Sequence, residues 1–114
     1  MTNSLMHWLS LFHSQVAPQK IIAALQEWKS AQAILRATKE ALRAVHFSFK
    51  EIHALKKSYD DLIEKDLRWE NLIGNHIITY ADDCYPTLLK EISDPPLVLY
   101  VRGNPHLLRA AQIA

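Results

Sequence analysis

The chain is poor in the residues from which the best-known chemical sites are built. It has only two glycines, Gly74 and Gly103, so neither a Gly-x-Gly-x-x-Gly turn nor a P-loop can be written onto it. The single cysteine, Cys84, rules out an internal disulfide and a Cys-x-x-Cys metal knuckle, and fits a reducing, cytoplasmic setting. Charge of one sign is also missing. With 13 Lys and Arg against 12 Asp and Glu and a formal net charge of +1, no long-range field draws in nucleic acid or an anionic membrane. Any nucleic-acid site must therefore be local. No apolar run approaches the roughly 20 residues that cross a bilayer. Residues 5–12 are interrupted by His7 and Ser10 and lack a basic start or a small-residue cleavage pattern, so they do not read as a secretory signal. No Ser, His and acid arrangement follows from the spacing, and the reading is of a chain that is not an enzyme.

What the chain does have is helical periodicity. Its 114 residues, 49% of them hydrophobic, suffice for one core. Leu5, Trp8, Leu9 and Phe12 follow i, i+3, i+4, i+7 and predict a helix over 5–13. Pro18 opens a second helix with Ile21, Ile22, Leu25 and Trp28 as its stripe. Ser30 caps a third with Ala33, Ile34 and Leu35 inside, Thr38 opens a fourth with Ala41, Leu42 and Val45, and Ser48 caps a fifth. From there the apolar positions Phe49, Ile52, Leu55, Leu62, Leu67, Trp69, Leu72 and Ile73 predict helix to residue 73, in two segments meeting near 58–60. The expected fold class is mainly α, a small bundle of the sterile-alpha-motif or helix-hairpin-helix kind over residues 1–73.

Gly74-Asn75 is the expected domain boundary, where a helix C-terminal glycine meets a change of pattern. Residues 76–80 read as a strand and 81–84 as an acidic turn. Pro86 then suits the start of a short helix with Leu88, Leu89 and Ile92 on its apolar face and Lys90 and Glu91 turned away. Asp94-Pro95-Pro96 ends it, because neither proline donates a backbone hydrogen bond. Residues 97–101 form a continuous apolar run, expected as a strand covered on both faces. Arg102-Gly103-Asn104 closes it, and Pro105 starts another helix with Leu107 and Leu108 on its buried side.

The stretch 85–108, YPTLLKEISDPPLVLYVRGNPHLL, with several turn residues at fixed offsets, resembles the DNA-processing protein DprA (Smf) family. The resemblance implies a cytoplasmic, non-catalytic factor of natural transformation that works without a cofactor, binds and protects single-stranded DNA, helps load the RecA recombinase and forms a homodimer. It also implies that residues 74–114 open a Rossmann-like DNA-binding domain. In that family the phosphates are held by a Gly-Ser-Arg loop after the next strand, so the sequence is expected to be a truncated piece whose helical part is an accessory. Its strand at 97–101 is then expected to be poorly placed, to pair with 76–80, or to pair with a neighbouring chain. The family's first hairpin is often glycine-rich, whereas Ser14-Gln15-Val16-Ala17 has no glycine, which makes close approach of backbone amides to a phosphate sterically harder. The alternative reading is a sterile-alpha-motif interaction domain that docks a regulator or a second copy of itself without touching DNA.

Candidate DNA contacts are Arg102, at the end of a strand where ligands collect in open α/β sheets, and Lys50, Lys56 and Lys57, a basic cluster extended by Lys65 and Arg68. Their acidic neighbours, among them Glu51, Asp60 and Glu64, favour a solvated, salt-bridged face instead. Trp8, Trp28 and Trp69 could stack on bases but sit at helical spacing with leucines, as core residues do. His46, His53 and Cys84 lack metal-ligand spacing, so the metal site is read as none. Asp82 and Asp83 read as turn residues rather than paired catalytic acids.

Overall fold

The computed structural model describes residues 3–104. Six helices come first: α1 (Asn3–His13), α2 (Pro18–Trp28), α3 (Ala31–Arg36), α4 (Lys39–Ala44), α5 (Phe49–Lys56) and α6 (Asp60–Glu70). Their starts follow from local chemistry. Pro18 occupies the first turn of α2, where its missing N–H costs nothing. Ser30 and Thr38 accept hydrogen bonds of 3.1 Å from the amides of Ala33 and Ala41, satisfying donors that a helix leaves unpaired. Ser48 and Glu51 form a reciprocal capping box, with bonds of 3.1 Å to the Glu51 amide and 2.8 Å to the Ser48 amide.

Two strands follow, β1 (Asn75–Thr79) and β2 (Val98–Arg102), paired antiparallel with Ile77 opposite Tyr100. Of the three outcomes open for the second strand, pairing with the first is the one observed. The bond from the Gly103 amide to the Gly74 carbonyl, 2.7 Å, closes the open end of the ladder, and Tyr80 to Leu97, 2.9 Å, extends the other. Gly74 and Gly103 both have positive φ, at 86° and 102°, which is where glycine is needed.

Helices and hairpin share one apolar cluster. Leu9, Ile21, Ile34 and Leu42 are fully buried in it, and Ile77, Leu97 and Val98 join it from the hairpin side. Polar bonds reinforce this junction. The Glu70 carboxylate accepts from the Ile77 amide at 3.1 Å and so occupies part of the outer edge of β1. Asn75 Nδ2 donates to the Trp69 carbonyl at 2.9 Å. Ala17 supplies no side-chain cap to α2. Instead Asp94, from the loop before β2, accepts from the Gln19 amide at 3.0 Å, placing a carboxylate at the positive end of that helix.

Several expectations need correction. The strand expected to be covered on both faces is covered only in part: Val98 is buried, but along the same face Tyr100 is 40% exposed and Arg102 is exposed, while Leu99 and Val101 on the other face are half-buried. The segment after Pro86 is a 3-10 turn (Thr87–Glu91) and buries no residue; Leu88 and Ile92 are about half exposed. Its five residues are too few for an α-helical stripe before the prolines intervene. Helix α6 stops at Glu70, so Leu72 and Ile73 lie in a turn and face solvent. Phe49 is also outside the core, with the Arg43 guanidinium 4.0 Å from its ring centroid. The helix expected from Pro105 lies outside the described residues.

Candidate functional site

The basic residues singled out from the sequence lie on or beside α5, on α6 and at the end of β2, and several are engaged within the fold. Lys50 is exposed on α5. Lys56, on the last turn of α5, donates to the carbonyls of Leu35 and Ala37 at 2.8 and 2.5 Å, so its ammonium is spent on the C-terminal end of α3, where a cation is favoured. Lys57 lies 6.0 Å from the Tyr59 ring centroid. Arg68 is paired with Glu64 one turn away on α6. Arg102, opposite Asn75 at the end of β2, is exposed. Among the described residues no group of three His, Cys, Asp or Glu could hold a metal ion. Asp82 accepts from the Thr79 amide at 2.7 Å and so closes the turn after β1.

Of the tryptophans, Trp8 is 4% exposed in the core and Trp28 and Trp69 pack against it. Trp69 and Phe12 meet Tyr100 edge-on, with ring centroids 5.5 and 5.8 Å away. Burial and a hydrogen bond with Asp66 push the Tyr100 phenol well above its ordinary value. Asp66 is also paired with His13 at 2.6 Å, so this cluster fastens α1, α6 and β2 to one another.

A cleft among the described residues lies elsewhere. It has a volume of about 590 Å³ and opens where α1, the α2–α3 junction and the turns flanking the hairpin meet, and Trp8, His7, Lys29, Gln32, Tyr80 and Lys90 are among its walls. Three tight turns build it. Lys29 ends α2 in the left-handed region, φ 74°, with its amide bonded to the Leu25 carbonyl at 2.9 Å. Tyr80 leaves β1 with its ring 6.5 Å from that of Trp8 and 5.3 Å from that of Tyr85. Tyr85 is 2% exposed, and its hydroxyl donates to the Pro96 carbonyl at 2.7 Å. Burial, with a smaller contribution from Tyr80, pushes its phenol up to about 12. The Lys90 ammonium, expected to point away, lies over both rings, 4.8 Å from the Tyr80 centroid and 5.8 Å from that of Tyr85.

Sequence reasoning missed this cleft because its walls come from segments up to some eighty positions apart, and no spacing rule links Lys29 with Lys90. The one local cue was the dense turn chemistry around Tyr85 and Pro86.

No curated protein and no solved structure matches this chain. Residues 76–114 match the family model of DNA recombination-mediator protein A, a span that begins in β1 and takes in Tyr80, Tyr85, Lys90, Asp94 and β2. The C-terminal third of the chain therefore carries the signature of the DNA recombination-mediator protein A family, the same family that the Tyr-Pro and Asp-Pro-Pro stretch resembles.

Proposed function

We propose that this chain serves DNA recombination as part of a single-stranded-DNA-binding mediator, with residues 1–73 a sterile-alpha-motif-like accessory domain and residues 74–114 the opening elements of a Rossmann-like DNA-binding domain. The observation that carries this reading is the family match over residues 76–114. The activity is binding rather than catalysis: capture and protection of incoming single strands in the cytoplasm during natural transformation, hand-over to RecA, and dimerisation of the full-length protein. Arg102 and Lys50, both exposed, are the basic side chains best free to meet a phosphate, while Lys56 and Lys57 contribute charge from positions already engaged within the fold.

Anisotropy of a fluorescein-labelled oligothymidylate tests this. Binding that weakens by an order of magnitude or more between about 50 and about 200 mM salt, and that an equal mass of duplex competes poorly, is expected of phosphate contacts to a single strand. Salt-independent binding, or none, contradicts it.

The exposed Leu62, Leu72 and Ile73 on and just after α6 favour a second reading, in which the helical part docks a regulator or another copy of itself through exposed apolar side chains. Sedimentation across a concentration series distinguishes it, because self-association without oligonucleotide binding supports only this second reading.

A further inference from the structure

We infer that the cleft between α1, the α2–α3 junction and the Tyr80 turn is a nucleotide site: it takes a base against its aromatic wall and a phosphate between Lys29 and Lys90. Three independent features lead there. The first is its charge. The chain as a whole is balanced, yet the cleft is lined by two lysines and His7, and no Asp or Glu lines it among the described residues. An anion is the only charged ligand it favours.

The second is its apolar wall. Tyr80 stands over Trp8, with the rings inclined at 39° and their centroids 6.5 Å apart, and Leu25, Ala31 and Ala81 complete that side. A flat ring gains from such a wall, and a bare inorganic anion does not. Ser4, Ser30 and Gln32 add hydrogen-bonding groups. The volume, about 590 Å³, lies within the range of small-molecule sites.

The third is how the cations are held. Lys90, although exposed, lies against the tyrosine faces. Lys29 takes a left-handed conformation at the end of α2, which sets the direction in which its side chain leaves the helix toward the cleft. None of this requires the Gly-Ser-Arg loop, and the site uses other residues than Arg102 or Lys50.

The inference deepens the DNA-binding reading, and rests on it, where the nucleotide belongs to a single strand; a free mononucleotide would satisfy the same chemistry. Titrations of the whole chain with thymidine monophosphate, a short oligothymidylate and inorganic phosphate, followed by amide chemical shifts, separate these cases. The expected result is saturable perturbation centred on Lys29, Ser30, Tyr80 and Lys90 by the nucleotide, by the oligomer or by both, with inorganic phosphate at least tenfold weaker. Lys29→Gly, which suits the backbone, and Lys90→Ala should each weaken binding about tenfold, and Lys39→Ala, exposed on α4 away from the cleft, should not. Perturbation by the monophosphate alone sustains the site while counting against the DNA reading. Oligomer binding that perturbs only Lys50 and Arg102 sustains the DNA reading and overturns the site. The site is equally overturned if phosphate matches the nucleotide, if no ligand perturbs the cleft, or if both lysine variants bind as the wild type does.

Discussion

Replacing Tyr85 by Phe removes one oxygen and leaves the ring. In the folded chain that oxygen is almost wholly shielded from solvent and donates to the Pro96 carbonyl at 2.7 Å, joining the start of the 3-10 turn to the residue before the buried Leu97. Losing the bond and leaving the carbonyl unpaired should cost about 1–2 kcal/mol at neutral pH. The pH dependence is a sharper test. The Tyr85 phenol is raised from its ordinary value of 10.0 to about 12, so the folded state holds the proton more tightly than the unfolded state does. The stabilisation is complete below pH 10 and is lost as pH rises through the folded value. A two-unit shift corresponds to about 2.7 kcal/mol when fully lost, of which about 2 kcal/mol should be gone by pH 11.5. Lysine titration and the raised Tyr100 phenol affect both proteins and cancel in the difference. Urea unfolding followed by tryptophan fluorescence at pH 7 and at steps up to 11.5 should therefore show the advantage of the wild type over Tyr85→Phe shrinking toward zero. A gap constant across that range, or no gap at pH 7, would refute the reasoning.

Asp94→Ala should destabilise the fold by about 1 kcal/mol, because it removes the carboxylate that caps α2 from a distant loop; unfolding midpoints should then move together for helix and hairpin probes. Glu51 is held below its ordinary carboxylate range chiefly by its hydrogen bond with Lys20, and also by the Ser48 amide. Its stabilisation is thus present above the ordinary value of 4.5 and is lost as pH falls through the lowered folded value, so Glu51→Ala should cost about 1 kcal/mol at pH 7 and progressively less as the pH is lowered below 4.5 in the same urea assay. Lys29→Gly should leave stability unchanged or raise it by up to about 1 kcal/mol, since glycine adopts the left-handed conformation without strain; a clear loss would show that the lysine side chain holds the fold together.

The helical part of the fold could be read from the sequence because its determinants are local. Pro18, Ser30, Thr38 and Ser48 announce helix starts within three or four residues of the bonds they make, and the stripes of α1 and α2 are regular. The failures have a common origin. Leu72, Ile73 and Phe49 are apolar residues at helical spacing, but spacing does not say whether a neighbour exists to cover them. Tyr100 was placed in a doubly covered strand for the same reason. The site was less accessible still. Lys29, Tyr80 and Lys90 carry ordinary identities at unremarkable positions, and only tertiary packing brings them together. The family signature in residues 85–108 was visible because turns fix residue types at fixed offsets, and one of those turns brings Lys90 to the cleft.

Photocrosslinking measures the central claim most directly. An oligothymidylate carrying 5-iodouracil, irradiated with the whole chain and mapped by peptide mass spectrometry, should attach to the segment around Tyr80, and the adduct should fall about tenfold in Lys29→Gly and Lys90→Ala. Adducts confined to α5 or to Arg102, or a Tyr80 adduct indifferent to both lysines, would contradict it.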